Sequence, residues 1–150
     1  MPIIEWNVNF LVGIQEIDRH HKHLVNSLNE TYDRFSEGKE IELSFLQELV
    51  DYAAHHFACE ESWMKKTSYP NLAAHQEEHA VFTSRVCEFK KEYKRNARVS
   101  VELLWFLCNW VTHHIRETDA EFGRFVDVHK IRSRRAGTSS GGDTTLKLEA

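Results

Sequence analysis

The sequence predicts an all-α fold, specifically an antiparallel up-down-up-down four-helix bundle with an irregular N-terminal arm. Proline and glycine are scarce, at 2 and 6 of 150 residues, so few tight turns are expected. Four long stretches place apolar residues at helical spacing. Short polar links join these stretches, and short links between helices favour antiparallel neighbours.

The four helices are expected at about 18–35, 41–66, 70–93 and from 100 to at least 118. Gly38 is a typical stop signal after the first helix, and Pro70 is suited to the start of the third. Each helix carries an apolar stripe that one side of a bundle can bury.

The two ends of the chain do not show this periodicity. Residues 1–17 are expected to form the irregular arm, which Trp6, Phe10, Val12 and Ile14 would fold back onto the bundle. The sequence predicts one bundle domain over residues 1–130. Residues 131–150 turn basic and then rich in Gly, Ser and Thr. Such a composition buries little apolar surface, which predicts a disordered tail.

Composition limits the classes of partner and compartment. A hydrophobic fraction of 41%, a charged fraction of 28% and a formal charge of −4 are ordinary for a globular domain. They give no reason to expect nucleic acid as a partner, and no apolar run is long enough for membrane insertion. Three cysteines without a close pair favour a reducing compartment. We expect a cytoplasmic monomer.

Histidine is the unusual residue of this chain, with 10 copies, many of them on apolar helical faces. Neighbours on a helix point about 100° apart, so at most one member of each doublet at 20–21, 55–56 and 113–114 can face the core squarely. The residues three and four positions away decide which member faces inward. A stripe on the third helix adds two more. Five histidines are therefore expected to face the interior: His21, His56, His75, His79 and His114.

Two carboxylates accompany these histidines. Glu60 lies one turn beyond His56, and Asp119 lies five residues beyond His114. In an up-down-up-down bundle all these positions fall at the same end. Buried imidazoles and carboxylates without partners are costly, and bound metal removes that cost. Seven ligands exceed the four of one tetrahedral zinc, which favours two ions, and the donor types suit iron, zinc or manganese.

The spacing of Asp119 and His114 conflicts with a regular helix. Five residues correspond to about 140° of rotation in an α-helix, so both side chains could not share a face. The sequence therefore predicts a local widening of the π type, a feature that often occurs at functional sites.

The pattern of these motifs resembles the hemerythrin family, in particular the single-domain bacterial hemerythrins, the bacteriohemerythrins. The resemblance covers roughly residues 5–125. It depends on Trp6, Val12-Gly13, Ile17-Asp18 with His21 and Leu24, His56-Phe57 with Glu60-Glu61 and Met64, Tyr69-Pro70, His75, His79 and Phe82, and Trp110 with His114-Ile115 and Asp119.

The resemblance implies a non-haem di-iron centre as the cofactor, two Fe2+/Fe3+ ions with a bridging oxo or hydroxo group. It implies that His75, His79 and His114 bind one iron, that His21 and His56 bind the other, and that Glu60 and Asp119 bridge the pair. Dioxygen would bind as hydroperoxide on the five-coordinate second iron. The implied dioxygen pocket is lined by Leu24, Phe57, Trp110, Val111 and Ile115.

The implied function is reversible dioxygen binding, as a carrier, store or sensor, and not enzymatic catalysis. Two alternatives use the same irons: an enzyme acting on peroxide or nitric oxide, or a protein that stores or scavenges iron. An oxygen-receiving or signalling protein is a possible further partner. One departure concerns His20, because family members often carry glutamine there; we interpret His20 as a candidate hydrogen-bond donor that supports the ligands. We interpret His23, His55 and His113 as solvent-exposed or supporting residues.

Overall fold

The chain forms a closed arrangement of four long helical rods, as the sequence predicts. The computed structural model describes residues 2–96 and 98–136, and side chains through residue 129. Helix α1 contacts α2 and α4, and α3 contacts the same two helices, so the rods follow one another around the bundle. The helical elements are α1 Gln15–Ser36, α2 Leu43–Lys66, α3 Leu72–Asn96, α4 Val101–His113 and α5 Ala120–Ala136.

The fourth rod contains the predicted widening. A π-helical segment, His114–Asp119, links α4 to α5. The backbone stays in the right-handed helical region at His113 and at Ala120 on either side of it, so the rod does not break. The prediction of a π-type irregularity between His114 and Asp119 is thus confirmed.

The N-terminal arm folds back onto the bundle through apolar side chains and hydrogen bonds. Phe10, Val12 and Ile14 are buried, and a short 3-10 turn, Val8–Phe10, interrupts the arm. Asn29 of α1 holds the arm twice: its Oδ1 accepts from the Ile4 amide at 2.9 Å, and its Nδ2 donates to the Ile4 carbonyl at 2.9 Å.

Helix α1 begins at Gln15, which is earlier than the expected start near residue 18. The reason lies in the turn before it. Gly13 has a φ of 90°, a conformation that only glycine adopts readily. The Asp18 carboxylate accepts hydrogen bonds from the amides of Val12 (2.7 Å) and Gly13 (3.2 Å). The chain therefore turns sharply at Gly13 and enters the helix directly.

Helix α5 packs against the arm in a second apolar cluster, separate from the main core. Phe122 and Val126 of α5 meet Val12, Ile17 and Met64 there. Gly123 allows this close approach, because a Cβ at that position would lie 2.1 Å from the carbonyl oxygen of Val12.

The expected domain boundary at residue 130 does not coincide with a helix end. Helix α5 continues to Ala136, and the sequence offers no glycine or proline between Gly123 and Gly137 to end it. The remainder of the predicted disordered tail, 137–150, lies outside the described residues. Within the part of the chain that the structure describes, no helix combines the length and the apolar character needed to cross a membrane.

Candidate metal centre

All seven predicted ligands meet at one end of the bundle. Helix α1 supplies one of them near its start, α2 two near its end, α3 two near its start, and the π-helical segment the last two. Each side chain is buried, with no residue more than 4% exposed. The seven are His21, His56, Glu60, His75, His79, His114 and Asp119.

Glu60 lies between two groups of histidines and presents one oxygen to each. Its Oε1 is 3.2 Å from Nε2 of His21 and 3.0 Å from Nε2 of His56. Its Oε2 faces the Nε2 atoms of the other group: His75 at 3.3 Å, His79 at 3.2 Å and His114 at 3.8 Å.

Asp119 divides the histidines in the same way from the opposite rod. Its Oδ2 is 2.8 Å from Nε2 of His21, whereas its Oδ1 is 3.0 Å from Nε2 of both His75 and His114. The site therefore has a two-histidine side (His21 and His56) and a three-histidine side (His75, His79 and His114). Each of the two carboxylates presents one oxygen to each side.

The seven side chains are better placed to coordinate cations than to hydrogen-bond with one another. Both Asp119 oxygens and His56 Nε2 are buried without a well-aligned hydrogen bond, although charged partners are close. Two imidazole nitrogens, Nε2 of His79 and Nε2 of His114, lie 3.1 Å apart. Ligands about 2.1 Å from one octahedral ion and at right angles are roughly 3 Å apart, so this spacing is that of coordination-shell neighbours.

Two overlapping groups of donor atoms are close enough to hold one ion each. The first combines the three-histidine side with both carboxylates, and the second combines the two-histidine side with the same carboxylates. Imidazole and carboxylate donors suit iron, manganese or zinc, and they exclude the all-oxygen sites that calcium and magnesium prefer.

The carboxylates set the protonation of the histidines when no ion is bound. Burial opposes the charged form of His21 and His75, but Asp119 and Glu60 outweigh it and raise the pKa of each to about 9. At His56 burial dominates and lowers the pKa. Burial also opposes ionisation of Glu60, yet the surrounding imidazoles lower its pKa well below the usual range. Metal must therefore displace protons from this site.

Two supporting residues escaped the sequence reasoning. Glu78 Oε1 accepts a hydrogen bond from Nδ1 of His114 at 2.9 Å, and the Thr118 hydroxyl donates to both Glu78 oxygens at 2.9 and 3.0 Å. Metal-bound histidines commonly donate their second nitrogen to a carboxylate. Because Glu78 precedes His79 and Thr118 precedes Asp119, adjacency to ligand positions was the available signal.

Aromatic rings fix two imidazoles on the three-histidine side. Phe57 stacks on His79 with ring centroids 3.9 Å apart and planes at 12°, and Trp110 stacks on His114 at 4.4 Å and 13°. Their neighbours leave these rings little freedom to rotate away from the centre.

A small apolar cavity adjoins the two-histidine side. Its volume is about 10 Å³, at the lower limit for holding one water-sized molecule. His21 and His56 of the two-histidine side border it together with His114 and Asp119, whereas His75 and His79 are not among the described residues around it. The residues predicted for a dioxygen pocket all line this cavity: Leu24, Phe57, Trp110, Val111 and Ile115.

The remaining histidines of the bundle differ in burial. His23, His55 and His113 are exposed, as interpreted from the sequence. His20 shares a helical face with polar residues of α1, yet its side chain is buried beside a ligand, as expected for a residue that supports the ligands. His20 is 6% exposed, because Tyr52 and His55 of α2 cover it. Its Nδ1 lies 3.1 Å from Nδ1 of His56, and burial lowers its pKa to about 4.

Comparison with known proteins agrees with this arrangement. The sequence model of the hemerythrin HHE cation binding domain matches residues 12–126. A bacteriohemerythrin of Pseudomonas aeruginosa (strain LESB58) is 36% identical over 146 residues, which cover 95% of this chain and 93% of the relative. A bacteriohemerythrin of Stenotrophomonas maltophilia (strain R551-3) is 32% identical over 147 residues, with 94% and 93% coverage.

A solved structure shares the fold. The crystal structure of a wild-type hemerythrin superposes with a TM-score of 0.74 at 25% identity, covering 81% of this chain and 96% of that protein. The match to the family model spans most of the chain, from the turn of the N-terminal arm to α5. The chain belongs to the hemerythrin family.

Proposed function

We propose that this protein binds dioxygen reversibly at a pair of iron ions held by the seven buried ligands. One observation carries the proposal: each of the two carboxylates presents one oxygen to the two-histidine side and the other oxygen to the three-histidine side. That arrangement suits two bridged ions and not one.

The histidine count differs between the two positions. Three imidazoles and two carboxylate oxygens surround one position, and two imidazoles and two carboxylate oxygens surround the other. When bound, a pair of ferrous ions supplies the two electrons on which reversible dioxygen binding depends. His21 and His56 leave room for an external ligand, because the apolar cavity borders this side of the site.

The chain's own contribution is to hold the donors and to exclude water. Leu24 and Ile115 are buried at the cavity, with 4% and 2% exposure, and they offer no polar atom to water or to a proton donor. A dry site limits proton leakage and hydrolysis of reactive species. This environment favours binding and release of dioxygen over turnover.

The decisive test is the visible spectrum of anaerobically reduced protein, recorded before air, after air and after renewed removal of oxygen, together with the iron content. The proposal predicts about two iron ions per chain and a charge-transfer band that appears and disappears with oxygen. A band that forms only once, or catalytic consumption of added peroxide or nitric oxide by the reduced protein, would instead indicate a di-iron enzyme. Uptake of many more irons per chain would indicate storage.

The histidine doublets provide matched controls for this test. His114→Ala should reduce iron content and abolish the band, because it removes an imidazole ligand and also leaves the Glu78 carboxylate without its imidazole partner. His113→Ala alters the exposed neighbour on the same helical turn and should leave both measurements unchanged.

A further inference from the structure

The five imidazoles of the site point Nε2 toward the centre and Nδ1 away from it, and their outward neighbours differ. On the three-histidine side two of these neighbours are carboxylates: His114 Nδ1 is 2.9 Å from Glu78 Oε1, and His79 Nδ1 is 3.6 Å from Glu61 Oε1, whereas Nδ1 of His75 is buried without a hydrogen-bond partner. On the two-histidine side, Nδ1 of His56 meets Nδ1 of another imidazole, His20, at 3.1 Å.

This contact requires a definite placement of protons. A hydrogen bond between two nitrogens needs one N–H donor and one bare acceptor. If His56 offers the lone pair of Nε2 to a metal, its neutral ring carries the hydrogen on Nδ1. His56 is then the donor, and His20 accepts through Nδ1 and keeps its own hydrogen on Nε2.

We infer that His20 is a positioning residue for the metal centre: its neutral imidazole accepts the His56 Nδ1–H and thereby fixes the tautomer and the ring orientation of that ligand. The inference rests on the proposed metal site. It assigns a role to a side chain that lies outside the seven ligands and that the sequence pattern placed on an outward face.

The surroundings of His20 hold its ring in the required orientation. The ring meets Tyr52 edge-on, with centroids 5.8 Å apart and planes at 83°, and it stands perpendicular to His56 at 5.2 Å. His55, which lies on α2 like Tyr52 and His56, covers the His20 ring with centroids 5.9 Å apart. Because His20 and His21 are adjacent on α1, one ring enters the seam between α1 and α2 while the other enters the site.

The type of acceptor has an electrostatic consequence. A carboxylate partner adds negative charge and raises the basicity of the histidine that donates to it, as Glu78 does for His114. A neutral imidazole fixes direction without adding that charge. His20 therefore orients the ligand beside the cavity while leaving the two-histidine position less electron-rich than its neighbour.

The direct test uses the unaltered full-length protein loaded with zinc, a diamagnetic ion that the same donors bind, and labelled with 15N at histidine. Nuclear magnetic resonance should show His56 protonated on Nδ1, His20 protonated on Nε2, and a 15N–15N coupling between the two Nδ1 atoms. A chain that binds two zinc ions but shows His20 protonated on Nδ1, or no coupling, would overturn this inference alone. Uptake of neither zinc nor ferrous iron would overturn the proposed function and this inference with it.

Variants give an independent readout in the affinity for zinc. Loss of an outer partner of a metal-bound histidine commonly weakens metal binding about 10- to 100-fold. His20→Leu should therefore lower the affinity for the second zinc, the ion on the two-histidine side, by that factor. His20→Gln retains an acceptor in its amide oxygen and should restore binding to within about threefold of the original.

The matched control is His23→Leu, on the same helix. His23 is exposed and packs on Tyr52 with centroids 4.1 Å apart, so its loss should leave both zinc affinities unchanged. Unaltered binding of the second zinc in His20→Leu, or equal losses in His20→Leu and His20→Gln, would contradict the inference.

Discussion

The two sides of the metal centre use the same kinds of ligand in different surroundings. On the three-histidine side, Phe57 and Trp110 stack on His79 and His114, and Glu78 accepts from His114. Both histidines of the two-histidine side border the apolar cavity, whereas His114 is the one histidine of the other side among the described residues that line it. A bundle can thus give two positions unequal access to one cavity from adjacent turns, by changing what lies behind the ligands.

The largest expected effect tests the difference in ligand number. His56→Ala leaves one imidazole on its side, and we expect the iron content to fall from about two to about one per chain. His79→Ala still leaves two imidazoles and two carboxylates, the set that the other position has naturally. It should therefore retain most of its iron, as measured by elemental analysis of purified protein.

His113→Ala serves as the control for the first variant, because His113 is an exposed histidine outside the seven ligands. Equal iron loss in His56→Ala and His79→Ala would mean that the two positions bind as one unit, and the comparison would fail.

The second prediction concerns the carboxylate behind the three-histidine side. Glu78→Gln removes the charge that supports His114 while preserving its shape, and we expect metal affinity at that position to fall about 10-fold or more. Competition with a chromophoric chelator would measure it. Glu48→Gln, the same removal of charge at an exposed residue of α2, tests whether charge alone alters the affinity; a similar shift there would discount the role of Glu78.

The third prediction uses pH on metal-free protein. The pKa values of His21 and His75 rise to about 9 in the folded state, against about 6.5 when unfolded. Between those values the folded state binds more protons, so the free energy of unfolding should fall as pH rises, by about 1.4 kcal/mol per pH unit for each of the two histidines. Their contribution is fully present below pH 6.5.

The depressed pKa values of His20 and His56 act in the opposite direction. Since the folded state resists protonating them, stability should also fall as pH drops below about 6.5. Urea unfolding in the presence of a chelator would map both slopes. Stability that rises steadily from pH 6.5 to 9 in metal-free protein would contradict the assignment of protons to His21 and His75.

The smallest expected effect tests the dryness of the cavity. Leu24→Gln introduces an amide beside the two-histidine side, and we expect oxygenated protein to autoxidise roughly threefold faster, since polar groups admit water and protons. The decay of the oxygen-dependent absorbance would report it. In Leu24→Met, which keeps the lining apolar, the absorbance should decay at the original rate. Equal decay rates in Leu24→Gln and the original chain would contradict the assignment of Leu24 to the dioxygen pocket.

Much of this architecture was predictable because it depends on spacing along helices. Apolar periodicity predicted four rods, and the flanking residues predicted which member of each histidine doublet faces inward. The five-residue step from His114 to Asp119 predicted a π-helical segment, and that segment is present.

The features that sequence reasoning missed depend on contacts between helices. His20 lies on a polar face of α1, but Tyr52 of α2 covers it. Glu78 and Thr118 meet across the seam between α3 and the fourth rod. Periodicity within one helix says which side faces the core, whereas it says nothing about lateral neighbours at the edges of that side.

The π-helical segment, His114–Asp119, fixes the angular phase of everything that follows it. One residue more or less turns the downstream helix by about 100° about its axis. The same widening that brings Asp119 onto the face of His114 therefore also aims Phe122 at the second apolar cluster and Gly123 at the carbonyl of Val12. Insertion of one further residue within 115–118 would turn Asp119, Phe122 and Gly123 away from their contacts together, so the length of this one turn couples the metal centre to the docking of the N-terminal arm.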